Sequence, residues 1–315
     1  MKKKITFLLI MSLLLQLFVV GTPVMAEDSF DLITDEIMAK EGTTGGVIEE
    51  DEPAGDLTVF ADEPMSSGGT TYNLGPNITG TLYDDGKLII TGSGVMYNYA
   101  SYNPSPFQGN DTITSVTISY NIKTIGNYVF ANCSALTSVD IPLSISTIGD
   151  YAFSQCTNLP AVTILNSTTT IGNYAFYGCS ALASVTISPS VVSIGDYAFA
   201  NCSALTSITI PSSVKRIGSY AFSSCSALTS VTIRPSVNNI GEGAFRYCSS
   251  LTSISMPASI MHVGFFAFAD CSKLTSIEIP ASNPNYSSED GVLFDKDKSR
   301  LIQYPIGNTR TSQGF

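Results

Sequence analysis
From residue 113 onward the apolar positions recur in one arrangement with a period of 23 residues. A representative copy, beginning at Leu205, reads LTSITIPSSVKRIGSYAFSSCSA, and the others begin at Ile113, Leu136, Leu159, Leu182, Leu228, Leu251 and, incompletely, Leu274. Positions are numbered here from that first residue. Over the first six, apolar and polar residues alternate, with Val or Ile fourth and Ile or Met sixth. That period of two predicts a short strand with one buried face and with Ser and Thr, third and fifth, on the other. Pro142, Pro211, Pro257 and Pro280, all seventh, end the pairing.

A second apolar point and a Gly follow. Gly126, Gly149, Gly172, Gly195, Gly218, Gly241 and Gly264 occupy one position, which predicts either a positive φ or a backbone approach that a Cβ would forbid. The apolar residue before this Gly, the Ala after it and the Cys lie four apart, as in Ile217, Ala221 and Cys225. That spacing predicts a single helical turn, with Phe on one flank and Tyr on the other. Phe130, Phe153, Phe176, Phe199, Phe222, Phe245 and Phe268 should form a stacked spine. Tyr128, Tyr151, Tyr174, Tyr197 and Tyr220 form a second column, either a half-buried flank with its hydroxyls in water or a platform for sugars. One 23-residue unit buries too little to offset the entropy of ordering its backbone, so neighbours must stack. The expected fold is an α/β solenoid, with one short parallel strand and one helical turn per repeat.

The cysteines mark the same period. Cys133, Cys156, Cys179, Cys202, Cys225, Cys248 and Cys271 are an odd number, so they cannot all be paired within the chain. In register, their side chains stay farther apart than the roughly 3.8 Å between Cβ atoms that a bridge prefers. Buried, inert thiols forming a structural ladder are the expectation. His262 is the single histidine, which excludes zinc sites needing two imidazoles. No set of nucleophile, base and oxyanion donors stands out, so neither enzymatic activity nor a cofactor or metal is expected.

The net charge of −11 argues against nucleic-acid partners. It is unevenly placed, because residues 27–69 hold 13 of the 26 acidic residues and one base, Lys40. This stretch reads as an acidic, disordered spacer, and residues 70–315 are left close to neutral. Residues 1–26, with Lys2 to Lys4, an apolar run from Ile5 to Val20 and small residues before Ala26, read as a secretory signal peptide cut after Ala26. The apolar run is shorter than the roughly 20 residues needed to cross a bilayer, so no stable membrane span is expected after cleavage. The mature chain is expected to be secreted or held at the cell surface.

The pattern L-x-x-[VI]-x-[IM]-P-x-S-[VI]-x-x-I-G-x-Y-A-F-x-x-C-S-x resembles the BspA-like class of leucine-rich repeat proteins, found largely on bacterial surfaces. Residues 79–96, TGTLYDDGKLIITGSGVM, resemble the family's amino-terminal hairpin module, although Phe107 stands where that module usually carries Trp. Residues 283–305, NPNYSSEDGVLFDKDKSRLIQYP, look like the hairpin unit that interrupts or ends its arrays. The resemblance covers residues 74–305. It implies a right-handed leucine-rich-repeat superhelix, with a hairpin cap over 70–112, repeats over 113–282 and a terminal hairpin unit over 283–315. It also implies a non-catalytic, adhesin-like role toward an extracellular or host-surface protein, with a glycan-binding or scaffolding role as the alternative. No cell-wall sorting motif follows the hairpin, which leaves a released protein or a fragment as the expectation.

Where copies depart from their own consensus, stacking does not choose the residue. The repeats from Leu205 to Leu251 add Lys215, Arg216, Arg234, Arg246, Tyr247, Met261, His262, Phe265 and Phe266. An exposed aromatic beside basic residues is a candidate protein-contact patch; packing beneath the terminal hairpin is the alternative. A second candidate is the ladder of Ser115, Thr117, Ser184, Thr186, Ser207, Thr209, Ser230 and Thr232, interrupted by Asp140, Ala161 and Glu278. It could order water or bind polysaccharide. Residues 295–299 faintly resemble a calcium loop, but without its Gly and distal Glu they read as a hairpin turn.

Overall fold
The computed structural model of the chain describes residues 68–308. The expected signal peptide and almost all of the expected acidic spacer lie outside the described residues. The repeats form a parallel β-solenoid. Each coil opens with a leading strand at the expected positions, from Ser115–Ile118 through Ser207–Ile210 to Ser276–Glu278. Equivalent residues lie side by side, as in Ser207 beside Ser230 and Ile208 beside Val231. The leading strands pair in three runs rather than one. The first gap falls at Pro160. In several other coils the second residue donates its N–H to the coil before, as Thr137 does to Thr114 O (2.9 Å) and Ala183 to Pro160 O (2.8 Å), and proline has no N–H to give.

Each coil also holds a second strand, which the alternation did not predict. The residues before the conserved-position Gly, such as Thr147–Ile148, Arg216–Ile217 and His262–Val263, form an eight-stranded parallel sheet that starts at Gly94–Val95. Their outward residues fail to alternate over more than two positions, so the period was too short to read.

The expected helical turn is not there: the described residues contain no helix, and the α part of the expected α/β fold is replaced by a third ladder. Two residues per coil are left-handed. At the sixteenth position φ is 58° for Tyr128, 57° for Tyr197 and 59° for Phe266, and at the twentieth it is 61° for Asn132, Asn201 and Asp270. A left-handed residue disfavours a right-handed helical turn running through it. The N–H groups instead alternate in direction. Those of Tyr197, Phe199 and Asn201 donate to Ser219 O, Ala221 O and Ser223 O of the next coil at 2.8 Å each, while Ala200 and Cys202 donate three residues back.

The recurring Gly answers to the second of its two expected causes. A Cβ on Gly218 would stand 2.3 Å from Gly195 O, and the other members of the column from Gly149 onward meet the preceding coil's backbone similarly. Inside the three ladders lies one core. The Phe rings stack from Phe130 to Phe268 at centroid spacings of 5.2 to 5.7 Å. Thr168 replaces an aliphatic residue there and is accommodated because its hydroxyl donates to Ile145 O at 2.8 Å.

Both ends carry hairpins. Strands β1 (Gly69–Gly75), β2 (Ile78–Tyr83) and β3 (Lys87–Gly92) are antiparallel, and β3 pairs in parallel with Ser115–Ile118. Phe107 heads the Phe spine, 6.3 Å from Phe130, with Tyr72 edge-on at 5.0 Å. At the other end Tyr286–Glu289, Val292–Asp295 and Leu301–Gln303 form a three-stranded antiparallel unit. Its turn is closed by Asp295, which accepts from Ser299 Oγ (2.7 Å) and Arg300 N (3.0 Å). These bonds hold the Asp295 carboxyl below the usual carboxylate range.

Candidate functional site
The seven cysteines are fully buried and unpaired. Each Sγ–H donates to the carbonyl of a Phe-spine residue in the coil before, from Cys133 to Phe107 O (3.1 Å) through Cys225 to Phe199 O (3.3 Å) to Cys271 to Phe245 O (3.1 Å). Burial pushes the thiols of Cys133, Cys179 and Cys225 up to about 12 and that of Cys271 up to about 11. Cys156, Cys202 and Cys248 shift the same way for the same reason, reinforced by their neighbouring thiols. Since the thiolate is the nucleophile, these groups are shielded twice, by occlusion and by protonation. A maleimide reagent should label none of them in the native protein and all seven after denaturation; rapid native labelling of several would contradict the burial.

The Tyr column is a stack. Tyr128, Tyr151, Tyr174, Tyr197 and Tyr220 lie 4.5 to 4.9 Å apart, within 12° of parallel. Their faces cover one another, so ring edges and hydroxyls remain, and a sugar platform loses the surface it would need. The column stops at Gly243, where a Cβ would stand 2.3 Å from the Tyr220 ring.

The nine departures from the consensus are distributed over three places. Arg246, Tyr247 and Phe266 form one contact cluster: the Arg246 guanidinium lies 4.7 Å from the Tyr247 ring centroid and 5.6 Å from that of Phe266. It also bonds Asp270 (2.9 Å) and Tyr247 Oη (3.0 Å), so its position is fixed. Phe265 follows on the same coil, 82% exposed, with Phe266 57% and Tyr247 47% exposed. Packing beneath the terminal hairpin is therefore not what Phe265 does. Lys215, Arg216, Met261 and His262 lie along the second sheet, where Arg216 is in register with Asn239 and Asn239 with His262. Arg216 is paired with Asp196 at 3.1 Å, and Met261 is 63% exposed. Arg234 is apart from both groups, at the end of the leading strand Ser230–Ile233.

The reason Phe265 is free to vary lies in its position. In earlier coils the fifteenth residue is structural: the side-chain oxygens of Asn127, Asp150, Asn173 and Asp196 accept the N–H of the next coil's fifteenth residue at 2.7 to 2.8 Å. This ladder ends where Asp196 accepts from Ser219 N, and the side chains of Ser219 and Glu242 carry no such bond among the described residues, so by Phe265 the position no longer needs a side-chain acceptor. The sequence carried this signal in the run of Asn and Asp at that position. It was legible as polar exposure, though not as a hydrogen-bond ladder.

On the leading sheet the hydroxyl ladder is in register over part of its length. Ser207 lies beside Ser230, Thr209 beside Thr232, and Thr186 beside Thr163. Ser184 meets Ala161, and Ser255 meets Glu278. Glu278 also accepts from Ser276 Oγ and Ser288 Oγ, which ties it to the terminal hairpin. Among the described residues no group of three or more His, Cys, Asp and Glu could hold a metal ion, and no helix is long and apolar enough to cross a membrane.

Comparison with known proteins agrees with this geometry. The family model of the BspA type leucine rich repeat region matches six copies over residues 101–226 and 169–291. Among solved structures, a leucine rich cell surface protein from Faecalibacterium prausnitzii is 31% identical, with 76% of this chain and 62% of that one covered and a TM-score of 0.57. A leucine-rich repeat protein from Eubacterium ventriosum is 26% identical, covering 77% of this chain and 52% of that one, with a TM-score of 0.40. The T. pallidum leucine rich repeat protein is 26% identical over 58% of this chain and 87% of its own, with a TM-score of 0.46. The chain thus spans 62% and 52% of the length of the first two. A search of the curated proteins gives no match. Through the coils that the family model matches, the chain belongs to the BspA-type leucine-rich repeat family.

Proposed function
We propose that the chain is an exported, surface-exposed and non-catalytic module that binds an extracellular or host-surface protein, in the manner of an adhesin. Export rests on residues 1–26. The F. prausnitzii relative, described as a cell surface protein, favours the same location. The observation that carries the binding role is the cluster at the last full coil. There Phe265 and Phe266 are exposed beside Tyr247 and an Arg246 from the preceding coil, which Asp270 already holds. Aromatic residues and Arg dominate the energetics of protein contacts, and an anchor fixed before binding loses less entropy. The polysaccharide reading draws on the in-register hydroxyls of the leading sheet and places the contact on another face.

A panel of extracellular-matrix proteins beside a glycan array separates the two. Phe265→Ser should weaken capture of a matrix protein about tenfold or more and leave the melting temperature unchanged, since Phe265 is 82% exposed. Glycan signal lost on Thr209→Val and untouched by Phe265→Ser would decide for the hydroxyl face.

A further inference from the structure
The three ladders that join the coils have a direction, and they end differently. At the amino-terminal end the turn ladder presents the carbonyls of Asn127, Val129 and Ala131. All three are taken by the hairpin module, through Tyr99 N (3.0 Å), Ser105 Oγ (2.8 Å) and Gly109 N (2.8 Å). At the other end the terminal unit closes the two sheets. Tyr286 Oη accepts from Val263 N at 3.1 Å, Asn283 Nδ2 donates to Ile260 O at 2.7 Å, and Gly291 O accepts from Ile277 N at 2.9 Å. The turn ladder is left out. In earlier coils the sixteenth, eighteenth and twentieth N–H groups donate to the next coil. Those of Phe266, Phe268 and Asp270 have no acceptor among the described residues. Phe268 is a buried residue, whereas Phe266 and Asp270 are exposed residues, which leaves their two donors as the ones a partner could reach.

We propose that this open end of the turn ladder binds an extended peptide segment of another protein, whose main-chain carbonyls accept from Phe266 and Asp270 while its side chains pack on Phe265 and Phe266. The inference rests on the protein-binding role proposed above and says how the partner is held. A second copy of this chain does not fit. Its amino-terminal carbonyls are already taken by its own hairpin module, and its far end offers the same donors. An acceptor-bearing strand completes the edge, and main-chain recognition of this kind leaves specificity to the flanking side-chain contacts. Phe265, 82% exposed beside the donors, supplies such a contact.

The test uses a phage-displayed random peptide library selected against the intact protein, with hydrogen exchange as the readout. In the free protein the Phe266 and Asp270 amides should exchange rapidly, whereas the equivalent amides one coil earlier, Gly243 and Tyr247, are protected by their bonds to Phe265 O and Ala269 O. Selected peptides should slow exchange at Phe266 and Asp270. Replacing the Asp270 amide by an ester, which removes the donor and also weakens Ala269 O as the acceptor from Tyr247 N, should weaken them about threefold to tenfold while exchange at Tyr247 stays slow. Phe265→Ser should weaken them about tenfold. If Phe265→Ser weakens binding and the ester does not, the contact patch stands and the ladder-edge mode is overturned. If neither matters, or the library yields no binder, both fail.

Discussion
Between about pH 9 and pH 11 the protein should lose folding stability far more steeply than an ordinary domain does. The seven cysteines are the cause. In the unfolded chain they ionise around 9.0, whereas burial holds them protonated in the solenoid until about 11 to 12 or beyond. Their folded pKa is raised, so below the unfolded value both states bind the same protons and the thiols cost nothing. Above it the unfolded state alone gives its protons up, and stability falls as pH rises. Each thiol removes up to about 1.4 kcal/mol per pH unit in that window. Acting together they remove about 10 kcal/mol per unit, the size of a typical domain's whole stability. Tyr151, pushed up to about 12 chiefly by burial, adds to the slope at its upper end. Denaturant titrations across this pH range measure the effect, and Cys225→Ala should lower the slope by about one proton. A stability flat up to about pH 10 would show that the thiols titrate inside the fold, and the burial argument would fail.

The second large effect is steric. Gly218→Ala should cost about 3 kcal/mol or more, although Ala for Gly at an unstrained position ordinarily stabilises by restricting the unfolded chain. The added Cβ would stand 2.3 Å from Gly195 O, 2.5 Å from Gly195 C and 2.7 Å from Asp196 N. These are backbone atoms held by ladder bonds on both sides, and no rotamer change moves them away. The coils must separate, which lengthens the bonds from Tyr197, Phe199 and Asn201 and opens the Phe199–Phe222 stack. Ser219→Ala, one residue on, has no such consequence and should stay within about 1 kcal/mol. Equal denaturation midpoints for the two variants would remove the close-approach explanation of the Gly column. Hydrogen exchange should place the damage at this one junction, with the amides of Tyr197, Phe199 and Asn201 exchanging faster than those two coils away.

The period, the leading strands and the buried Phe and Cys columns were legible because each rests on a repeated apolar position. The turn was misread for a physical reason. Ile217, Ala221 and Cys225 are four apart and all buried, which is what a helix face gives, and a left-handed tyrosine leaves no mark in a hydropathy pattern. The sixteenth-position Tyr holds a positive φ that costs roughly 1 kcal/mol or more. Stacking of its ring on two neighbours, about 0.5 to 1.5 kcal/mol per pair, offsets it. The candidate contact residues were found as departures from the consensus, and the structure then divided them. Arg246, Tyr247 and Phe266 touch, whereas Arg234 lies apart, just past the end of the leading strand Ser230–Ile233. What the sequence hid was the reason Phe265 can be aromatic at all, namely the end of the hydrogen-bond chain that runs from Asn127 to Asp196 through side-chain oxygens.

Every coil bonds only to the coil before and the coil after. Ser207 meets Ser230, Tyr197 meets Tyr220, and Cys225 reaches Phe199, all across a single junction. An in-frame loss or gain of one 23-residue unit between equivalent positions therefore rebuilds each junction from the same parts, provided both hairpins stay at the ends. Neighbouring copies that share one consensus can be lost or gained as whole units. Copy number is thus a trait that such a gene can change in one step without passing through a misfolded product, and with it the distance between the amino-terminal hairpin and the aromatic cluster at the far end.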